Sequence, residues 1–175
     1  MKNIVNRMPM RFKFVCVLLL PLLALSWFAV NGMIERSAAL KEYDRLHELT
    51  KLAQRAGDAI HQLQLERGMT AGFLGSEGTT FGNRLRQQRP STDAAAEAFN
   101  TQRNALDQTL LSPTLQQQLN ELDAQWQRQV TVRSRVDNLD ISMGDALSHY
   151  TGINSQLMTF VGALGHLSSE GDIAR

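Results

Sequence analysis

Apolar residues recur along most of this chain at steps of three and four, the spacing that lines one face of an α-helix. Leu49, Leu52, Ala56, Ile60, Leu63, Arg67, Thr70 and Leu74 set such a stripe in a first helix over residues 34–74, and Arg67 falls on it among apolar neighbours. Gly75, Ser76 and Gly78 end that helix. A second helix begins near Thr80 and turns Phe81, Leu85, Gln88, Thr92, Ala95, Phe99, Leu106 and Leu110 inward. Pro90 is expected to kink or split it, with Ser91, Thr92 or Asp93 as a fresh cap. Ser112-Pro113 restarts the chain as an N-cap followed by proline at the first helical position. The third helix carries Leu115, Leu119, Leu122, Trp126, Val130, Arg133 and Val136. Residues 138–142 connect it to a fourth, which opens on Ser142-Met143-Gly144-Asp145, a capping box with Asp in place of Glu. Leu147, Tyr150, Ile153, Leu157, Phe160, Leu164 and Leu167 form its inner face, and it stops around residues 168–171. No bounded period-2 run survives beside these, so strands are not expected.

The expected fold is all-α: an N-terminal transmembrane helix continuing into an antiparallel four-helix bundle. Residues 14–30 contain no charge and approach the roughly 20 residues a spanning helix needs. Lys2, Arg7, Arg11 and Lys13 precede them, which keeps the N-terminus cytoplasmic. The chain therefore divides into a basic N-terminus (1–13), a transmembrane anchor (14–33) and a helical extracytoplasmic domain (34–175). A cleaved signal peptide is the competing reading, but no clean A-x-A site follows; Ala24-x-Ser26 is a weak one.

Composition narrows the chemistry. The net charge of +1 on 175 residues offers no bulk field for nucleic acid, and none is expected as a partner. Cys16 is the one cysteine and lies in the apolar run, so a disulfide or thiolate metal site in the domain is excluded. His47, His61, His149 and His166 show no i, i+3 or i, i+4 pairing, so no metal site is expected. His61 lies near the inner face and reads as a bundle histidine. Met69, Met143 and Met158 read as core filling, and the run from Arg84 to Arg89 as a solvated helix face. No catalytic constellation and no cofactor motif are present, so an enzyme is not expected.

Arg67 is the informative residue. A guanidinium cannot shed its charge, and burying it unpaired costs several kcal/mol. It needs an acid such as Asp107 or Asp145, a route out to solvent, or a bound anion. Gly68 and Gly72, spaced i, i+4, would open a close-approach face beside it. A planar anion suits the two parallel donors of guanidinium. Arg103 and Arg133 also fall near inner stripes and are expected in boundary salt bridges.

The segment Leu63-Gln64-Leu65-Glu66-Arg67-Gly68-Met69-Thr70-Ala71-Gly72-Phe73-Leu74-Gly75-Ser76 resembles the nitrate- and nitrite-sensing domain of bacterial chemoreceptors, histidine kinases and some transcription antiterminators. Phe81, Gln88-Arg89, Thr92-Asp93, Arg133-Ser134-Arg135-Val136-Asp137, Ile141-Ser142 and Tyr150-Thr151-x-x-Asn154 extend the likeness. The resemblance implies a helical, homodimeric domain outside the inner membrane that binds nitrate or nitrite through helix arginines. It maps one such arginine onto Arg67, with Gln64, Gly68 and Thr70 lining or shaping the site. It further implies a methyl-accepting chemotaxis receptor cut after the first half of its sensor domain. The alternative function is a membrane-anchored interaction module without a small ligand. An inward, acid-free Arg67 favours the sensor; a paired or exposed Arg67 favours the interaction module.

Overall fold

The computed structural model describes residues 9–107 and 111–173, with side chains at 11–18, 20, 34–35, 38–39 and 167–173 outside the description. Among the described residues four helices follow one another: α1 (Met10–Gly75), α2 (Gly82–Ala105), α3 (Pro113–Asp137) and α4 (Met143–Ile173). The chain separates into two units, one up to Arg45 and one from Leu46 onward.

In the first unit the backbone is helical through Pro21, and Leu22, Leu23, Leu25, Trp27, Phe28, Val30 and Met33 are all exposed. Among the described residues no helix is long and apolar enough to cross a membrane. Residues 14–18 and 20 of the expected anchor have side chains outside the described set.

The second unit is a bundle. Gln88 of α2 bonds Gln62 of α1 while Gln102 bonds Glu48, so α2 runs back along α1. Arg89 reaches Asp137 and Arg103 reaches Asp123, so α3 runs antiparallel to α2 in turn. Leu49, Leu52, Ala56, Ala59, Leu63, Glu66 and Thr70 are the buried residues of α1 among those described. Their steps alternate three and four, a 3.5-residue repeat. The expected stripe departs from it at two positions. Ile60 is half-buried where Ala59 is fully buried, and Arg67 is exposed where Glu66 is fully buried.

Ser112 accepts the Leu115 amide ahead of Pro113, as the sequence predicts. Ser142 likewise accepts the Asp145 amide and donates to its carboxylate. Pro90 does not split α2. Pro90 and Arg86, four residues before it, are both exposed, so the carbonyl that loses its donor meets solvent. Val130, Met143 and Met158 also depart from the expected core, being 73%, 41% and 61% exposed, and His61 is exposed too. Leu110 lies outside the described residues, as does the side chain of Leu167.

Two apolar clusters make the core. The larger runs from Leu49 to Leu164 around Phe99, whose ring meets Phe160 edge-on at 5.8 Å and Trp126 at 6.0 Å. The smaller joins Leu85, Val136 and Ala146 to Met69, Phe73, Leu74, Val132 and Ile141 near the α1–α2 and α3–α4 turns. Both turns use left-handed residues with side chains. Glu77 (φ 51°) follows α1, with its amide on Leu74 O and that of Gly78 on Phe73 O. Leu139 (φ 55°) follows α3, with its amide on Val136 O and that of Asp140 on Arg135 O. Each is a Schellman arrangement, which satisfies helix-end carbonyls.

Candidate functional site

The buried 3.5-residue repeat of α1 carries Glu66 into the interior, where it is fully buried. Arg133 of α3 meets it side-on: Nε donates to Oε1 at 2.7 Å and an Nη donates to Oε2 at 2.7 Å. The Tyr150 hydroxyl of α4 donates to Oε1 at 2.9 Å. Arg133 uses its remaining Nη on Asp93 of α2 at 2.7 Å. Arg89 stands next to them, with Nε 3.8 Å from Glu66 Oε1 and both Nη atoms on the Asp137 carboxylate at 2.8 and 2.9 Å. All four helices thus converge on one carboxyl group.

Burial alone would depress the Arg133 pKa, but the hydrogen bonds and charges of Glu66 and then Asp93 outweigh it and hold the guanidinium above its usual range. Burial and then the Glu66 charge push the Tyr150 hydroxyl up, while the Thr70 side chain beside it pulls the other way. Three acids surround two guanidiniums here, so a further anion would meet carboxylates that repel it and guanidiniums whose other nitrogens are bonded, the Arg89 Nε alone being without a hydrogen bond. The cluster is a lock between helices. A pair of this kind contributes mainly through the cost of breaking it, since an unpartnered buried charge costs about 3–5 kcal/mol.

The sequence-predicted site residues separate. Arg67 is exposed, and Gln64 and Gly68 are exposed with it, whereas Thr70 is fully buried. No ion pair holds Arg67 among the described residues, and the Asp145 carboxylate is engaged by Ser142. A turn of about 100° per residue explains the split: with Glu66 inward, its neighbour Arg67 must leave the core. Gly68 faces open space, as a Cβ there would meet nothing within 4 Å. Gly72 does not widen that opening. A Cβ on Gly72 would come within 2.6 Å of the Phe81 ring, so this glycine is the seat of Phe81. Phe81 itself begins α2 in the left-handed region (φ 65°), with Arg84 stacked 5.7 Å from its ring centre. Ser76 closes the same turn: its hydroxyl donates to Phe73 O and accepts the Thr80 amide.

Arg103 makes the expected boundary bridge, to Asp123 at 2.8 Å. Arg133 also bridges at the boundary, 12% exposed, but its pairing reaches from exposed Asp93 inward to fully buried Glu66. Arg89 leaves the expected solvated face, its side chain being 13% exposed, whereas Arg84 and Arg86 remain exposed. Sequence reasoning missed the roles of Glu66, Arg89 and Tyr150. The available signal was the strict alternation of steps through Ala59, Leu63, Glu66 and Thr70. Among the described residues no group of His, Cys, Asp and Glu could hold a metal ion.

A family profile described as nitrate and nitrite sensing matches residues 58–175. No curated protein matches the chain in sequence. Among solved structures the chain is similar to the NasR transcription antiterminator, with a TM-score of 0.69 and 21% identity over 83% of this chain. That similarity is one of fold, and the chain spans 38% of that protein's length.

Proposed function

Because the chain belongs to the nitrate and nitrite sensing family, whose profile covers residues 58–175, we propose that it is a sensor module for nitrate or nitrite in signal transduction. The observation that carries this reading is the family profile itself. Arg67 sits in the segment that bears the family resemblance, without an ion-pair partner among the described residues and beside the open space at Gly68, though it is exposed rather than inward. Arg89 and Arg133 hold carboxylates instead. Arg67 supplies the fork of donors for the planar anion, and Gln64 and Gly68 line the approach from the same exposed side of α1. Buried Thr70 shapes the helix from beneath.

The proposal includes an inner-membrane anchor at residues 14–33, a cytoplasmic N-terminus and a periplasmic domain. Its support is the uncharged run at residues 14–30, the basic residues before it and the exposed apolar side chains from Leu22 to Met33. The protein is read as part of a chemotaxis receptor acting as a homodimer, with no catalytic activity and no nucleic-acid partner. The test is calorimetric titration of the detergent-solubilised chain with nitrate, nitrite and chloride, repeated on Arg67→Ala. Nitrate- or nitrite-specific heat that disappears in the variant is expected. A folded chain that releases no such heat sinks the reading. The exposure of Arg67 also favours a second reading, an anchored interaction module whose arginine contacts an acidic protein surface, and that is the reading left by a silent titration.

A further inference from the structure

One helical turn from the Glu66 cluster lies a layer of side-chain amides. Gln129 precedes Arg133 by four residues on α3, and Asn154 follows Tyr150 by four on α4. Arg133 Nε and the Tyr150 hydroxyl both meet Glu66 Oε1, so the two helices are in register there. Continuing in the same direction, Gln125 of α3 lies against Gly152 of α4, 3.0 Å from where a Cβ would stand. Moving back along α3 therefore means moving forward along α4, and a rise of about 5.4 Å per turn places Gln129 and Asn154 on the same side of the cluster. Gln62 of α1, four residues before Glu66, joins the layer and accepts the Thr92 hydroxyl of α2 on its carbonyl at 3.4 Å.

Gln129 is 3% exposed and Asn154 is 7% exposed. Neither amide atom of Gln129 bonds to another protein group, nor does Oδ1 of Asn154. Buried polar atoms left without partners are costly and are as a rule satisfied. Two acceptors and one donor must be served in one interior layer. An anion offers no proton to the two carbonyl oxygens. An apolar guest serves none of the three. We propose that this layer is an internal hydration site, in which water donates to Gln129 Oε1 and Asn154 Oδ1 and accepts from Gln129 Nε2. A water with two to four polar partners is a stable part of an interior.

The experiment is a rotating-frame cross-relaxation measurement between water and side-chain amide protons on the full chain in micelles. The Gln129 resonances are assigned through their own backbone. Water cross-peaks of dipolar sign at the Gln129 amide protons are expected, and their absence overturns the proposal. Melting of Gln129→Leu, Asn154→Leu and the double variant gives an independent reading. Shared water makes the shifts non-additive: each single change lowers Tm, and the double change recovers part of that loss. Strictly additive shifts overturn the shared site, and if a variant does not fold the cross-peaks on the unsubstituted chain still decide.

Discussion

Glu66 and Arg133 stand 67 positions apart in sequence and meet through two parallel hydrogen bonds of 2.7 Å. The pair ties α1 to α3 across the bundle interior. Glu66→Gln keeps the shape and an acceptor for Tyr150 but leaves the Arg133 charge unanswered. Its expected cost is about 3–5 kcal/mol in urea unfolding. Replacing Glu66 and Arg133 together by leucine and methionine should cost clearly less than the sum of the single changes. Additive losses would show that the two residues act independently.

Gly72 and Phe81 give a second test. Gly72→Ala forces its new methyl against a ring only 2.6 Å away. The expected loss is about 1–3 kcal/mol, in the range of overpacked sites. Phe81→Gly in the same chain removes both the clash and the left-handed strain, and should restore most of it. A double variant as unstable as Gly72→Ala alone would refute this account.

Glu77 is exposed and sits at φ 51°. Left-handed backbone costs an ordinary residue about 1–2 kcal/mol, part of which glycine loses again in the unfolded chain. Glu77→Gly should therefore raise stability by about 0.5–1 kcal/mol, read from the denaturation midpoint. Glu77→Val should move the midpoint the other way.

His149 predicts a pH dependence. Burial first, then Arg128, and also Arg133, hold its pKa below the ordinary 6.5, against a smaller opposite pull from Glu66. The unfolded chain then binds more protons than the native one just below 6.5, so stability rises with pH through that window and is lost on acidification. Melting curves between pH 7.5 and 5.5, conditions chosen to bracket that value, should show a decline that His149→Gln flattens. Equal slopes in both proteins would rule His149 out as the source.

Arg67→Ala separates recognition from stability. With an exposed side chain and no ion-pair partner among the described residues, the substitution should shift unfolding by no more than about 0.5 kcal/mol while abolishing anion heat. A large loss of stability would mean that Arg67 serves the fold.

The helices and their caps were legible because they depend on local chemistry. Ser112-Pro113, Ser142 and the glycine-rich end of α1 stand where their sequences place them. The rotation of α1 was not. Ile60 is more apolar than Ala59, and the choice between them shifts the whole inner face by one residue, which exchanges Glu66 for Arg67. Only partners remote in sequence, Arg133 and Tyr150, make a carboxyl group tolerable inside, and no local pattern announces them. That Pro90 leaves α2 unsplit has a related reason, since the cost of its missing donor depends on whether water reaches Arg86.

The division of the core into a large and a small apolar cluster has a consequence for how the bundle comes apart. Leu85, Val136 and Ala146 fasten only the end that holds the two left-handed turns, so that end forms a cooperative unit of its own. Native-state hydrogen exchange should therefore resolve two classes of protected amides. The turn-proximal class opens at lower free energy, and the Phe99-centred class opens only with global unfolding.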